Sequence, residues 1–567
     1  MVRAISTKKW ILGLVVALAA AASFSCGGDD GTSRISVTLF GWIDGAGDGE
    51  FVQGMPEYPA ADQIRVRITQ PDERVILSED VFPIVDGRAL FPEASAGDGL
   101  RMDFEIIGDS NVIASGATPK FNVGESISYR AFRTMISPIN AFAPVGSMVR
   151  IDGSNEERLV PSRFDGRELD SSLGRVGHTA TATESGLVLI VGGGQVGAFH
   201  QPATTPDLQG VVGDIQLFDP ATGYFTELAG DDEARRSSTV GADRLQVPRA
   251  FHTVTALGDD RFLVVGGYTQ GSTSISATDS IEIINLNASP GARVQPLTDA
   301  AQSPMLLQNR RAMHTATLRE SDGRVVIAGG RSGNEVRNTF EIINPNPQNP
   351  LVEGGLSMNS ARVGHSAVLM GDGSSVWLLG GRTDTEVLGS TELISDGESG
   401  TSSSATANLQ RPRYGASAIF MGPSVNNFIL LAGGFTGLTS GATRNYELGR
   451  PDREEFLTDG SWQLSEARGN AALFELPQSR ELLLIGGLNP DFQIVGNADR
   501  LQFQGLDAAV PFSVDASAGS MYRLRSGFAT APVSNGRYLI TGGQGQNEAA
   551  RQDAEYFNPR DPVLPRR

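Results

Sequence analysis

The sequence predicts an all-β chain in two parts, a small β-sandwich followed by seven repeated units that close into a ring. Three observations carry this. Glycine makes up 68 of 567 residues, well above the usual ~7%, without the triplet period of collagen. Turns are therefore many and strands short. A Gly-Gly doublet closes a short apolar run seven times. Residues 34–135 lack helical periodicity, and several runs there alternate apolar and polar positions, as strands with one wet face do.

The chain begins with Arg3, Lys8 and Lys9, followed by an apolar run over residues 10–22. That run is too short for a bilayer, which takes about 20 residues. Residues 1–25 read as a signal peptide. Cys26 is the only cysteine, which excludes internal disulfides and leaves stability to packing and closure. The segment resembles bacterial lipoprotein signals, which place a diacylated Cys at this point. Ser25 fits that pattern, whereas Ser23 and Phe24 stand where Leu and a small residue are usual. The resemblance implies a membrane anchor at Cys26 and a cell-envelope location. Gly27, in place of the Asp that retains some lipoproteins at the inner membrane, points to the outer membrane. Residues 26–33 are a polar tether.

Formal charge is −19, and lysine is confined to Lys8, Lys9 and Lys120. So acidic a surface repels nucleic acid and anionic headgroups.

Residues 34–136 are expected to form a small, Ig-like β-sandwich. Its strand-like runs include Ile35–Phe40, Gln63–Ile68, Met102–Ile107 and Ser126–Phe132. A loop opens with Asp44, Asp48 and Glu50, but Ala46 and Met55 stand where a calcium loop needs ligands. It reads as a solvated loop. Residues 137–170, with Pro138 and Pro144, are expected to be a linker.

The repeats occupy residues 171–567. The doublets are Gly192-Gly193, Gly266-Gly267, Gly329-Gly330, Gly380-Gly381, Gly433-Gly434, Gly486-Gly487 and Gly542-Gly543, at spacings of 74, 63, 51, 53, 53 and 56. An arginine precedes each by 17 to 20 residues: Arg175, Arg249, Arg311, Arg362, Arg413, Arg468 and Arg525. His178, His252, His314 and His365 lie three residues after the first four, and Ala416, Ala471 and Phe528 after the others. After each doublet comes a second strand carrying Gln216, Glu282, Glu341, Glu392, Glu447, Asp499 or Glu555. The runs before the doublets are apolar at every position, so both faces of those strands are buried. A seven-bladed β-propeller buries strands in this way, each blade against the next.

The apolar run with Gly-Gly, seven times in phase, resembles the kelch family over about residues 170–560. The usual Tyr and Trp downstream of the doublet are mostly missing, with Trp462 in a plausible Trp place and Phe218, Tyr446 and Tyr556 as partial substitutes. The resemblance implies a kelch-type propeller.

The repeated arginines and acids are expected to pair within a blade or with its neighbour. The repeated histidines are expected to pack blades, since equivalent places on successive blades spread around a ring and do not converge on a metal. The sequence offers no catalytic, cofactor-binding or metal-binding residue. Copper-oxidase chemistry of the kelch type needs a Cys–Tyr crosslink, and the sole Cys lies in the leader. Phe199, His200 and Gln201, in the long loop Gly194 to Gly213, are the candidate binding residues. The insertion Gly230 to Val247 reads as a surface loop. The expectation is a non-catalytic envelope lipoprotein whose propeller binds a protein or glycan. Two alternatives stand beside it. One is a kelch-type carbohydrate-active enzyme such as a sugar epimerase, with convergent acids and arginines at the channel mouth. The other is a structural envelope component.

Overall fold

The computed structural model describes residues 16–23, 32–40, 42–43, 52–53, 61–69, 76–83, 97–108, 111–117, 121–123, 129–135, 137–138, 141–150, 157–161 and 174–559, the last with short interruptions. Those interruptions are 197–205, 222, 229–242, 272–273, 398–399, 423–426, 440, 477–480, 507, 517–518, 522, 534–535, 547–549 and 552. The described residues are all-β, without an α-helix, and most pairings are antiparallel.

Toward the N-terminus, Thr32–Phe40 pairs antiparallel with Val16–Ser23 and parallel with Tyr129–Met135. Val16–Ser23 belongs to the expected leader. A second sheet is built on Ala61–Thr69, Ile76–Pro83, Gly97–Gly108 and Asn111–Ala117. Its register sets Ile64 opposite Ile106, Val66 opposite Phe104 and Ile68 opposite Met102, so one face is apolar and buried. Period-2 alternation then sends Arg65, Arg67, Arg101, Asp103 and Glu105 to the other face.

Seven four-stranded antiparallel sheets follow. The first consists of Thr179–Ala182, Val188–Val191, Ile215–Asp219 and Tyr224–Glu227. The second consists of Thr253–Gly258, Arg261–Val265, Ile281–Asn285 and Val294–Pro296. In every sheet the second strand ends at the glycine doublet. Its successive residues face opposite neighbours. Phe262 and Val264 pack with Leu189 and Val191 of the first sheet, while Leu263 and Val265 pack with Val325 and Ile327 of the third. The same alternation joins every later pair of sheets. It also joins the seventh to the first, where Leu539 and Ala531 meet Val188 and Ile190. Each fully buried Leu, Ile, Val or Phe contributes about 1.5–3 kcal/mol, which is why these runs are apolar at every position but Thr541 of the seventh. From the first sheet to the sixth the first strands of neighbouring sheets touch one another, and that of the seventh touches that of the first, so the first strands are innermost.

The seventh sheet takes three strands from the chain end, Ala529–Pro532, Tyr538–Thr541 and Ala554–Asn558. Its outer strand is Ala141–Pro144. The segment expected to be a linker therefore carries pairing strands. Ser137–Pro138 joins the N-terminal sheet, and Gly146–Arg150 pairs with Glu157–Pro161. Pro138 and Pro144 are compatible with strands here because both lie on sheet edges, where one N–H has no ladder partner to lose. Phe142 packs on Phe557 at 4.8 Å between ring centroids, and Val145 is buried in the seventh-to-first cluster.

Candidate functional site

The seven repeated arginines sit just before the first strand of each sheet and point back across it. Six ion-pair with the repeated acid on the third strand of their own sheet. These are Arg249–Glu282, Arg311–Glu341 at 2.7 Å, Arg362–Glu392 at 2.5 Å, Arg413–Glu447 at 2.5 Å, Arg468–Asp499 at 3.4 Å and Arg525–Glu555 at 2.6 Å. Arg175, whose sheet carries Gln216, lies 3.6 Å from Asp214 instead. The same guanidinium donates to the carbonyl of the first doublet glycine, as Arg311 does to Gly329 at 2.9 Å. The acid also accepts backbone N–H groups from the loop before the arginine. Glu341 takes those of Gln308 at 2.7 Å and Asn309 at 3.1 Å. Each clamp fixes a loop, a strand end and the doublet together. Burial lowers the pKa of Arg311, opposed by the Glu341 charge. For Glu392 burial works against the charge, yet the Ser403 hydrogen bond and the Arg362 charge hold its carboxyl below the ordinary value.

The doublets need glycine for two reasons. Both residues take a left-handed backbone, Gly266 at φ 58° and Gly267 at φ 100°. A Cβ on Gly266 would also stand 2.5 Å from the Arg311 carbonyl of the next sheet. That carbonyl accepts the N–H of Gly267 at 2.9 Å, and the matching bond from Gly543 to Arg175, 2.8 Å, joins the last sheet to the first.

The four repeated histidines are packed between sheets. His178, His314 and His365 hydrogen-bond through Nε2 to Thr541, Thr253 and Thr315 of the preceding sheet at 2.9, 3.0 and 2.9 Å. Burial, reinforced by the neighbouring arginine, brings each of these three to a pKa of about 3, and burial pushes His252 down as well. Where the histidine is replaced by Ala416 or Ala471, the preceding sheet offers a serine instead. Ser366 and Ser417 donate to the Ala416 and Ala471 carbonyls at 2.7 and 2.6 Å. Among the described residues no three His, Cys, Asp or Glu side chains gather as a metal set.

What departs from the repeat collects at the inner rim. The residue after each doublet bridges to the residue after each repeated arginine: Val176 with Gly194, Ala250 with Tyr268, Ala312 with Arg331, Val363 with Arg382, Tyr414 with Phe435, Gly469 with Leu488 and Ser526 with Gln544. The next residue is left-handed in all seven sheets, even as Phe251 at φ 55° and Met313 at φ 56°. Non-glycine residues adopt such a backbone only where the surroundings enforce it. Here the Phe251 N–H donates to Gly177 at 2.7 Å and the Met313 N–H to Phe251 at 3.0 Å, linking sheet to sheet.

Two of these rim residues are arginines, flanked by two tyrosines. Tyr268, Arg331, Arg382 and Tyr414 are 1%, 5%, 3% and 2% exposed. Arg331 meets Asp384 at 3.2 Å, and Arg382 lies 3.9 Å from the same carboxylate, which is 46% exposed. The Arg382 guanidinium stands 5.6 Å from the Tyr414 ring centre, a cation–π distance. Burial pushes the Tyr268 hydroxyl up to about 12 against the pull of both arginines. Neither tyrosine hydroxyl has a hydrogen-bond partner among the described residues. Sequence reasoning missed these four. Their signal was variation, at a position where everything around it repeats.

The predicted loop residues Phe199, His200 and Gln201, the anchor Cys26 and the acidic loop with Asp44, Asp48 and Glu50 lie outside the described residues. Gly194–Val196 and Leu208–Val211, at the two ends of that first loop, pair with each other. At the opposite end of the second and third sheets is a cleft of about 620 Å³ lined by Arg261, Arg319, Asp322, Arg324 and Asn346. Its arginines are engaged: Arg319 with Asp322 and Asp396, Arg324 with Asp322, and Arg261 with the Pro345 carbonyl.

No protein-family model and no curated protein matches the chain. A solved structure titled "Structure of YjhT" is similar over 60% of this chain and 98% of its own, at 15% identity and a TM-score of 0.39.

Proposed function

We propose that this chain is a kelch-type β-propeller of seven blades carried behind a small Ig-like sandwich. It is exported, tethered at Cys26 to the outer membrane, and serves as a non-catalytic binding protein for a protein or glycan of the envelope. The observation that carries the binding role is the inner rim. Most of the repeated arginines, acids and histidines are engaged between or within sheets, His252 and Gln216 excepted, whereas the residues that break the repeat converge at one place where the buried Tyr268 and Tyr414 hydroxyls have no partner among the described residues. Buried polar groups without partners in a native structure call for a reason, and a ligand supplies one.

The test is retention. The chain from residue 27 onward is immobilised and exposed to solubilised envelope extract and to a glycan panel. A Tyr268→Phe plus Tyr414→Phe variant and a variant lacking residues 194–213 run beside it. A ligand held by the native chain and lost in either variant supports binding. No ligand above background in the native chain overturns it in favour of a structural envelope component. A second reading, a carbohydrate-active enzyme, draws on the meeting of Arg331, Arg382 and Asp384 at the rim, the mixture of acid and arginine such an enzyme would use. Turnover of a sugar by the native chain, abolished by Asp384→Asn, would put that reading first.

A further inference from the structure

We propose that the cleft of about 620 Å³ at the end of the second and third sheets away from the doublets is a binding site for a neutral sugar unit of a glycan. This is a second site, apart from the inner rim, and it stands whether or not the rim holds a ligand. Arg261 and Arg324, both in its lining, come immediately before the apolar runs Phe262–Val265 and Val325–Ala328. Leu187, Ser375, Asn427, Glu481 and Arg537 hold the matching place in the other sheets, so this pair of neighbouring sheets alone sets two such arginines side by side. Arg261 donates to the Pro345 carbonyl at 3.3 Å and has no ion pair among the described residues. Glu320, in the same lining, is exposed and likewise has no ion pair among them. Arg319 and Arg324 share Asp322, at 3.0 and 3.6 Å, and Arg319 also donates to Asp396 of the fourth sheet at 3.0 Å.

Arg261, Arg319 and Arg324 thus face Glu320, Asp322 and Asp396, and the charge of Asp372 reaches Arg319 as well. An anion finds no surplus of positive charge in the cleft, and a cation meets a row of guanidinium groups. A hydroxyl both donates and accepts, so it can give its proton to Glu320 or Asp322 while taking one from Arg261 or Arg324. A sugar carries a hydroxyl on most of its ring carbons and engages closely set donors and acceptors together, whereas a peptide offers one amide per residue. Leu257, Leu318, Pro345 and Pro347 supply apolar lining for the C–H face of a ring. The wall that carries the prolines is fixed in advance. Asn344 donates through Nδ2 to the Asn349 carbonyl at 2.8 Å and accepts the Asn346 N–H at 3.2 Å, and each proline locks its own φ. A preformed wall loses less freedom when a ligand arrives. Asn346 and Gln348 add exposed amides to it. The volume falls among those of small-molecule sites, about 300–1,000 Å³. No aromatic ring lies in the lining, so binding is expected to be of roughly millimolar strength.

The experiment titrates the full chain with maltose, lactose and chitobiose, followed by saturation-transfer NMR. Glucuronate and glucosamine serve as the anionic and cationic counterparts, and a neutral, end-blocked tripeptide as the peptide probe. The expected result is saturable binding of at least one neutral sugar, tighter than either charged sugar and than the peptide. Arg261→Gln removes a charged donor and should weaken it roughly tenfold, and Glu320→Gln roughly threefold. Both side chains reach solvent, so the variants should melt with the native chain, and the exposed Arg453→Gln should bind as it does. Failure of every neutral sugar to bind, tighter binding of glucuronate or of the peptide, or unchanged affinity in both cleft variants overturns the proposal. So does loss of the sugar in the Tyr268→Phe plus Tyr414→Phe chain with affinity kept in the cleft variants, which would move the sugar to the rim. A sugar lost with Arg261→Gln and kept by the doubly substituted tyrosine chain supports the cleft, even if the rim holds nothing.

Discussion

The sheet built on Ala61–Thr69 and the seven sheets that follow both bury the two faces of their middle strands, by opposite means. In the N-terminal sheet one face is apolar and the other ionic. Arg65 reaches Glu105 at 2.5 Å, Arg67 reaches Glu105 and Glu79 at 2.8 Å, and Arg101 reaches Asp103 at 2.9 Å. In the seven sheets both faces of the second strand are apolar, and the charges are moved to the strand ends, where the clamps sit. The ionic face of the first meets the seventh sheet through polar groups. Asn558 donates to Ser115 at 3.1 Å, and Arg537, whose guanidinium lies 4.5 Å from the Tyr556 ring centre, feels the charges of Arg101 and Asp103. Charges spread over a face must satisfy one another across strands and give a junction whose partners are chosen by pairing. Charges gathered at an end fix loops and leave the face free for apolar packing, which a repeated unit can use against an identical neighbour.

Acid should separate the two most widely. The folded pKa values of His178, His314 and His365, about 3, lie below the ordinary value of 6.5. Between those limits the unfolded chain binds protons that the folded chain does not, so the stabilisation is present above pH ~6.5 and lost as pH falls toward 3. At pH 5 the loss is about 2 kcal/mol per histidine. Urea midpoints at pH 7.5 and pH 5 read it, and equal midpoints would refute the buried neutral state. Residues 61–117 contain no histidine, so a probe placed there should register the acid effect only through the ring.

Breaking one clamp comes next. Arg362→Ala leaves Glu392 buried without its cation and should lower stability by about 3–5 kcal/mol. Arg453→Ala, at a side chain 63% exposed, should stay within about 0.5 kcal/mol of the native chain. Indistinguishable melting curves for the two would mean the clamps hold nothing. The ionic face should be gentler. Glu105→Gln weakens two arginine contacts, but Glu79 still faces both Arg65 and Arg67, so the loss is about 1–3 kcal/mol. Replacing Arg67 by Met and Glu105 by Leu together should recover most of it. A double variant as unstable as the sum of its parts would show that the face does more than satisfy itself.

The repeat was legible because its physics is local and recurs. The doublets, the apolar runs and the Arg-to-acid pattern each lie within one sheet, and seven copies in phase expose them. The pairing of Ala141–Pro144 with Ala554–Asn558 was not legible, because its partners lie at opposite ends of the repeat region and its prolines mimic a linker. The ionic face of the N-terminal sheet was half legible. Alternation in Gln63–Ile68 and Met102–Ile107 was read as a wet face, and tertiary contacts buried it. The rim could not be found by seeking repetition, since Tyr268, Arg331, Arg382 and Tyr414 occupy equivalent or bridged positions with unlike residues. The loop with Phe199, His200 and Gln201 is chosen for its length, and it lies outside the described residues.

The outer strand of the seventh sheet has a consequence for how the molecule is made. Ala141–Pro144 emerges from the ribosome roughly 400 residues before the strand it pairs with, which at ~5–20 residues per second is a delay of tens of seconds. Throughout that time its edge is unpaired, and the first and seventh sheets lack each other's apolar faces. The contacts between the first and seventh sheets, and the pairing of Ala141–Pro144, therefore form last. A nascent chain interrupted before Ala554–Asn558 carries two open, adhesive edges, and quality control has a clear feature by which to tell it from the finished protein.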